Sequence, residues 1–365
     1  MTTAGTEIVD LAQLRHRVQA EIDEEIALRT SQLAPVGRDT RLLVDAIADL
    51  LRGGKRLRAA FCYWGYRAAG GDDNEAIVRA AAAMELFQAA ALIHDDVMDD
   101  SDTRRGLPAA HRRLAAHHAE QQWEGMSDRF GVAGAILAGN LCLTWTDSMF
   151  AGSGLSRHEL HGARPVFDEM RTQLMGGQFL DVLEAARGWD HLTTEQRLRL
   201  AHRVITYKSA KYSIEHPLVI GAAAAGAKQG DLKKLGEFGL AVGQAFQLRD
   251  DLLGVFGDPE ATGKPAGDDL REGKHTVLVA HTLSTLDDER AARFSRHLGD
   301  PDVDDETVDW MRETIVASGA VDAVERDIER LVAQGLERLH DTRALLDDGR
   351  QVLVDLATYA TSRTT

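Results

Sequence analysis

The residues best suited to chemistry lie at positions 89–106, AAALIHDDVMDDSDTRRG. Asp95, Asp96, Asp99, Asp100 and Asp102 fall within eight residues, after an apolar helical run and before Arg104-Arg105. Residues three and four apart share a helix face, so Asp95, Asp96 and Asp99 send carboxylates to one side. Such a group repels itself, and the negative end of a helix dipole makes the placement worse. A cation relieves both. Oxygen-rich sites suit hard ions, and Mg2+ shares its shell with waters and substrate phosphates. A solvated acidic helix end is the alternative, and a second acid pair argues against it. Residues 243–258, GQAFQLRDDLLGVFGD, close another apolar helical run with Asp250-Asp251. Two such helix ends can face each other across a bundle and hold metal ions between them.

The basic residues complement this pattern. Gly53-Gly54-Lys55-Arg56-Leu57-Arg58 opens a helix with two glycines and puts Lys55 and Arg58 three apart, on one face. A helix N-terminus beside two cations is an anion site. It is not a P-loop, because GxxxxGK[ST] is absent. Arg104 and Arg105 follow the first acids, and arginine's rigid fork matches phosphate oxygens. Lys208, in TYKSAKYS, and Lys264, in TGKPAGDD, are further point charges for phosphate.

The elements that must position these groups are helices. Alternating β-branched runs are almost missing, and apolar residues recur at three- and four-residue spacing. The pattern predicts helices at 7–33, 39–52, 55–69, 73–100, 128–151, 156–185, 193–213, 215–226, 231–256, 276–286, 289–297, 304–317 and 320–361, the last broken near Asp347-Asp348-Gly349. With no linker or repeat, the expectation is one all-α domain over 1–365. A helix over 73–100 spans about 40 Å, enough to run down a bundle and deliver its acids at one mouth. Residues 103–131 read as a mobile surface loop with a short helix. Their His111, His117 and His118 lack the partners of a metal site.

The net charge of −16 argues against nucleic acid or an anionic membrane as partner. Cys62 and Cys142 sit in apolar surroundings and read as reduced core residues. No signal peptide and no transmembrane run are visible, so a soluble cytoplasmic protein is expected.

With these motifs in hand, the chain resembles the trans-type polyprenyl diphosphate synthases. GGKRLR, LIHDDVMD with DTRRG, GQFLD, YKSAKYS, QLRDD and GKPAGDDLREGK match that family's motifs in order and spacing, from about Leu42 to Lys274. The resemblance implies an all-α bundle around a deep central cavity, usually a homodimer. It implies that Asp95, Asp96, Asp99, Asp250 and Asp251 bind three Mg2+ ions bridging an allylic diphosphate, contacted also by Arg104, Lys208 and Lys264. Lys55, Arg58, Gln88 and Arg105 would hold isopentenyl diphosphate, Gln88 standing where many bacterial members carry His. Gln247 and Ser209 would line the reacting end, and Asp269 and Lys274 would support the second motif. One departure is plain: Gly254 occupies the third acid position of that motif, with Asp258 one turn later.

These parts support a dissociative reaction. Charge is stabilised as the allylic C–O bond breaks, the isopentenyl double bond attacks the cation, and a proton leaves to the departing diphosphate. Water must be kept out. Ala91 and Ala90 lie about one turn, ~5–6 Å, before Asp95, and Phe87 two turns, roughly 12 Å. Small residues at the first level predict a product longer than farnesyl, with geranylgeranyl diphosphate expected and Phe87 in a deeper floor. Two rivals remain: a class I terpene cyclase, which needs no isopentenyl diphosphate site, and a non-catalytic partner subunit, for which Gly254 is the sole support.

Overall fold

A computed structural model of the chain describes residues 4–189, 191–257, 267–300 and 302–362, with side chains from residue 11 onward. The chain is all-α, as its periodicity predicts. The first helices are α1 (Ala4–Leu33), α2 (Arg41–Leu50), α3 (Leu57–Ala68) and α4 (Glu75–Met98). A two-residue hairpin pairs β1 (Thr103–Arg104) with β2 (Leu107–Pro108), and α5 (Ala110–Glu120), α6 (Ser127–Ala151), α7 (Arg157–Arg187) and α8 (Thr194–Val204) follow. A π-helical segment, Ile205–Glu215, leads into α9 (His216–Ala224) and α10 (Gln229–Phe256). The chain ends with α11 (Asp268–Arg271), α12 (Val277–Thr285), α13 (Asp288–His297), α14 (Asp305–Ala317), α15 (Ala320–His340) and α16 (Asp347–Thr361).

These elements form two compact units. The first comprises Met1–Pro165, Pro217–Lys228 and Leu345–Leu353. Its axis is α4, capped by Asn74, whose side chain accepts from Ile77 N at 3.0 Å. The run Ala80–Ala83 with Leu86, Ala89, Ala90 and Ile93 is buried, and α6, α3 and α1 pack on it. Small side chains along one rod permit close approach on several sides. Among the described helices, α4 alone has the length and apolarity of a membrane span, and its core burial accounts for that apolarity. Cys62 and Cys142 are free and buried here, and burial pushes both thiols up.

The second unit comprises Val166–His216, Gln229–Ala344 and Val354–Thr365. Its axis is α10, against which α15 and the π-helical segment pack. Backbones approach closely here. A Cβ on Gly177 of α7 would strike the backbone of Tyr207 and Lys208, and one on Gly243 of α10 that of Ala210. Arg249 holds the unit's end: it donates to both oxygens of Glu325, at 2.5 and 2.6 Å, and to Thr361 O at 3.0 Å.

Three expectations need correction. The short helix expected within 103–131 is α5, residues 110–120, and it packs on α6 instead of lying in a mobile surface loop. His118 is buried beside the rings of Trp123 and Phe130, and that aromatic contact orders the stretch. The helix expected over 193–213 changes to π geometry at Ile205. The last long helix breaks at 341–346, a little before Asp347, where Leu346 N donates to Ala68 O.

Candidate active site

In the first unit the chemistry is mounted on α4. Glu85, Gln88, Asp95 and Asp99 recur at three- to four-residue multiples, so they share a face. Asp99 is the C-cap, and its N–H still reaches Asp95 O at 2.8 Å. The carboxylate oxygens of Asp95 and Asp99 approach within 4.8 Å of each other. Asp96 is turned inward, 1 % exposed, and accepts from Arg104 Nε at 2.7 Å. Arg104 also comes within 3.6 Å of Asp95.

The hairpin aims both arginines. Its two-residue turn is Arg105-Gly106, with φ of 55° and 74°. Positive φ at both positions matches the twist of a tight hairpin. Arg104 thereby meets Asp96, while Arg105 Nη1 donates to Leu50 O, at the C-terminal end of α2, at 3.0 Å. A Cβ on Gly54 would lie 3.3 Å from Arg105 Nη1, so the glycine leaves room for the guanidinium. Lys55 is exposed, Arg58 half-buried and Gln88 buried. Desolvation and the like charges of Arg56, Arg58 and Arg104 hold the Arg105 pKa below its ordinary value, with Glu85 opposing. Cations gathered against their own repulsion form a site for an anion.

In the second unit, Lys208 sits on the π-helical segment and donates to Asp181 of α7 at 2.5 Å. Ser209 beside it is buried. Short π-helical segments occur frequently at functional sites. On α10, Asp250 is exposed and Asp251 buried. Asp251 accepts from Gln247 Nε2 at 2.8 Å. Asp269, from α11, pairs with Lys274 at 3.1 Å, and Lys274 also with Glu272 at 2.5 Å. Burial, and then the charges of Asp269 and Asp250, push the Asp251 carboxyl up to about 8, with Gln247 and Lys274 opposing.

Gly254 lies directly against the Asp269 carboxylate. A Cβ there would fall on the Asp269 carboxylate, closer than the 3.0 Å that real Cβ atoms keep. The space of the missing third acid is filled by another acid. Lys264 and Asp258 lie outside the described residues.

Asp95 and Asp99 offer only oxygen atoms, close together, which is the donor chemistry of a hard divalent ion, and they would hold such an ion in the first unit. In the second unit, Asp250 and Asp251 offer the same donor type. Among the described residues no histidine joins a metal-type cluster. Of the residues expected to set chain length, Phe87 and Ala90 are buried, and Ala91 has partial exposure. Sequence reasoning gave no role to Asp181 or Glu85. The GQFLD motif contained Asp181, and only the apolar setting of Glu85 pointed to it.

A family model described as polyprenyl synthetase matches residues 40–315, running through both units. The geranylfarnesyl diphosphate synthase of Aeropyrum pernix is 33 % identical over 317 residues, covering 85 % of this chain and 91 % of its own length. The heptaprenyl diphosphate synthase component 2 of Geobacillus stearothermophilus is 31 % identical, covering 94 % and 95 %. The crystal structure of a geranylgeranyl pyrophosphate synthase from Corynebacterium glutamicum, complexed with isoprenyl diphosphate and magnesium, superposes with a TM-score of 0.91. It is 38 % identical and covers 97 % of this chain and 99 % of that one. The chain belongs to the polyprenyl synthetase family. It is an enzyme of isoprenoid biosynthesis that transfers prenyl groups.

Proposed function

We propose that this enzyme condenses isopentenyl diphosphate with an allylic diphosphate to give a longer trans-polyprenyl diphosphate, chiefly geranylgeranyl diphosphate. One observation carries the reading: α4 meets the GGKRLR turn through Glu85, which accepts from Arg56 and Ala59 N, and the same helix face continues through Gln88 to Asp95 and Asp99. A terpene cyclase has no use for a second diphosphate site.

In this reading Asp95, Asp96, Asp99, Asp250 and Asp251 hold Mg2+, three ions in all. When bound, these ions supply positive charge to the leaving diphosphate. Arg104, Lys208 and Lys264 grip the oxygens of that diphosphate as the allylic C–O bond breaks. Lys55, Arg58, Arg105 and Gln88 hold isopentenyl diphosphate with its double bond toward the allylic carbon. Gln247 and Ser209 line the reacting end, and Asp269 and Lys274 support the second motif. The apolar wall below Asp95 keeps water from the cation, and the adduct's proton goes to the departing diphosphate. Ala90 and Ala91 leave room for a chain longer than farnesyl, with Phe87 deeper. The protein acts as one domain over 1–365, as a cytoplasmic homodimer.

The test is incubation of purified protein with Mg2+, isopentenyl diphosphate and farnesyl diphosphate, followed by dephosphorylation and chromatography. Geranylgeraniol as the main product supports the reading, and a main product of another length overturns its chain-length part. Turnover that appears only with an added second protein replaces it with the partner-subunit reading.

A further inference from the structure

We infer that Arg56 and Glu85 are positioning residues of the isopentenyl diphosphate site, holding the turn that presents Lys55 and Arg58. The inference rests on the function proposed above.

Arg56 sits between two residues of the anion site but turns the other way. It is 5 % exposed, whereas Lys55 is exposed and Arg58 half-buried. Its φ is 52°, in the left-handed region that a residue with a Cβ rarely adopts. Such a conformation persists where the surroundings over-determine it, and here they do. The guanidinium donates to Leu51 O at the C-cap of α2, to Gln19 Oε1 at 2.6 Å, and to Glu85 Oε2 at 3.4 Å. The α2 carbonyl is one that a helix end leaves without an intrahelical donor.

Glu85 does two things at once. Its second oxygen accepts from Ala59 N at 3.1 Å. Arg56 is the N-cap of α3 and makes no side-chain capping bond. A carboxylate from α4 therefore satisfies the N–H that an N-cap side chain usually serves. One buried carboxylate thus fixes both the guanidinium of Arg56 and the first turn of α3, from which Arg58 projects. Arg105 is fixed to the same frame through Leu50 O, the carbonyl next to the one Arg56 uses. Gln88 follows Glu85 by one turn of α4.

Glu85→Gln keeps the shape and an acceptor for Ala59 but removes the charge. Arg56→Lys keeps the charge but loses the fork. Each should raise KM for isopentenyl diphosphate about tenfold, while KM for the allylic diphosphate and kcat at saturation stay within about twofold. Because Glu85→Gln leaves the Arg56 charge alone in a buried site, the double variant Arg56→Met/Glu85→Leu, which removes both charges, is measured beside them. Calorimetric titration of isopentenyl diphosphate alone should show the same selective loss. An unchanged KM for isopentenyl diphosphate in folded variants, or equal rises for both substrates, overturns the proposal. Parent protein that performs no condensation would instead sink the function on which it rests.

Discussion

The carboxylate of Asp269 occupies the place that a side chain at Gly254 would take. A side chain at 254 would have to displace that carboxylate, which the salt bridge from Lys274 holds. Placing an aspartate at 254 is therefore expected to impair function. Gly254→Asp and Gly254→Ala should each lower kcat about tenfold or more and cost about 1–3 kcal/mol of stability by overpacking. Steady-state rates with thermal melts read both effects, and a Gly254→Asp enzyme as active as the parent would refute the steric account.

The carboxylate oxygens of Asp95 and Asp99 come within 4.8 Å of each other, so their charges repel and favour a bound cation. Chelation with EDTA should abolish turnover, and Mg2+ should restore it. Asp95→Asn or Asp99→Asn should reduce kcat about a hundredfold and shift the Mg2+ titration to higher concentration. Unaltered Mg2+ dependence in both variants would remove these residues from the metal site.

His216 is buried, and its Nδ1 makes no hydrogen bond. Burial, followed by the nearby Lys211, pushes its pKa down from 6.5 to about 3. The unfolded chain accepts a proton below pH 6.5 that the folded chain refuses until about pH 3. Stability from this group is therefore complete above pH 6.5 and is lost as pH falls, by about 1.4 kcal/mol per unit. His111, His202 and His281 are also lowered and add to the same slope. His216→Phe should remove one proton's share of it. Melting curves from pH 7 to 4.5 decide, and equal slopes in parent and variant would contradict the assignment.

Ala91 lies one turn before Asp95 and keeps partial exposure, unlike the buried Ala90. A ring at this level should stop a growing chain. Ala91→Phe is expected to shift the product from twenty carbons to fifteen when supplied with dimethylallyl or geranyl diphosphate. Chromatography of the dephosphorylated products shows the shift, and an unchanged distribution would rule out length control at this residue.

The sequence made the acid pairs and the GGKRLR turn legible because their chemistry is local: spacing alone puts charges on one face. It left Glu85 unread, because the groups that employ it, Arg56 and Ala59, come from another part of the chain. The packing of α5, whose short helix was expected, was hidden for a similar reason. Its polar, His-rich stretch is ordered by contacts with Trp123 and Phe130 beyond its own end. The π geometry around Lys208 also escaped, since apolar periodicity continues through it while the close approaches of Gly177 and Gly243 are tertiary. Asp181 was visible in its motif, but its pairing with Lys208 was not.

Glu85, Gln88 and Asp95 ride on one unbroken helix, with Asp99 at its cap. A residue inserted between Gln88 and Asp95 would rotate everything beyond it by about 100° and advance it by about 1.5 Å. No side chain could then reach both its old partners and its ligand. Under the function proposed above, this stretch can vary in bulk but not in length, so product size here would change by exchange of side-chain volume at a constant separation between Gln88 and the Asp95–Asp99 pair.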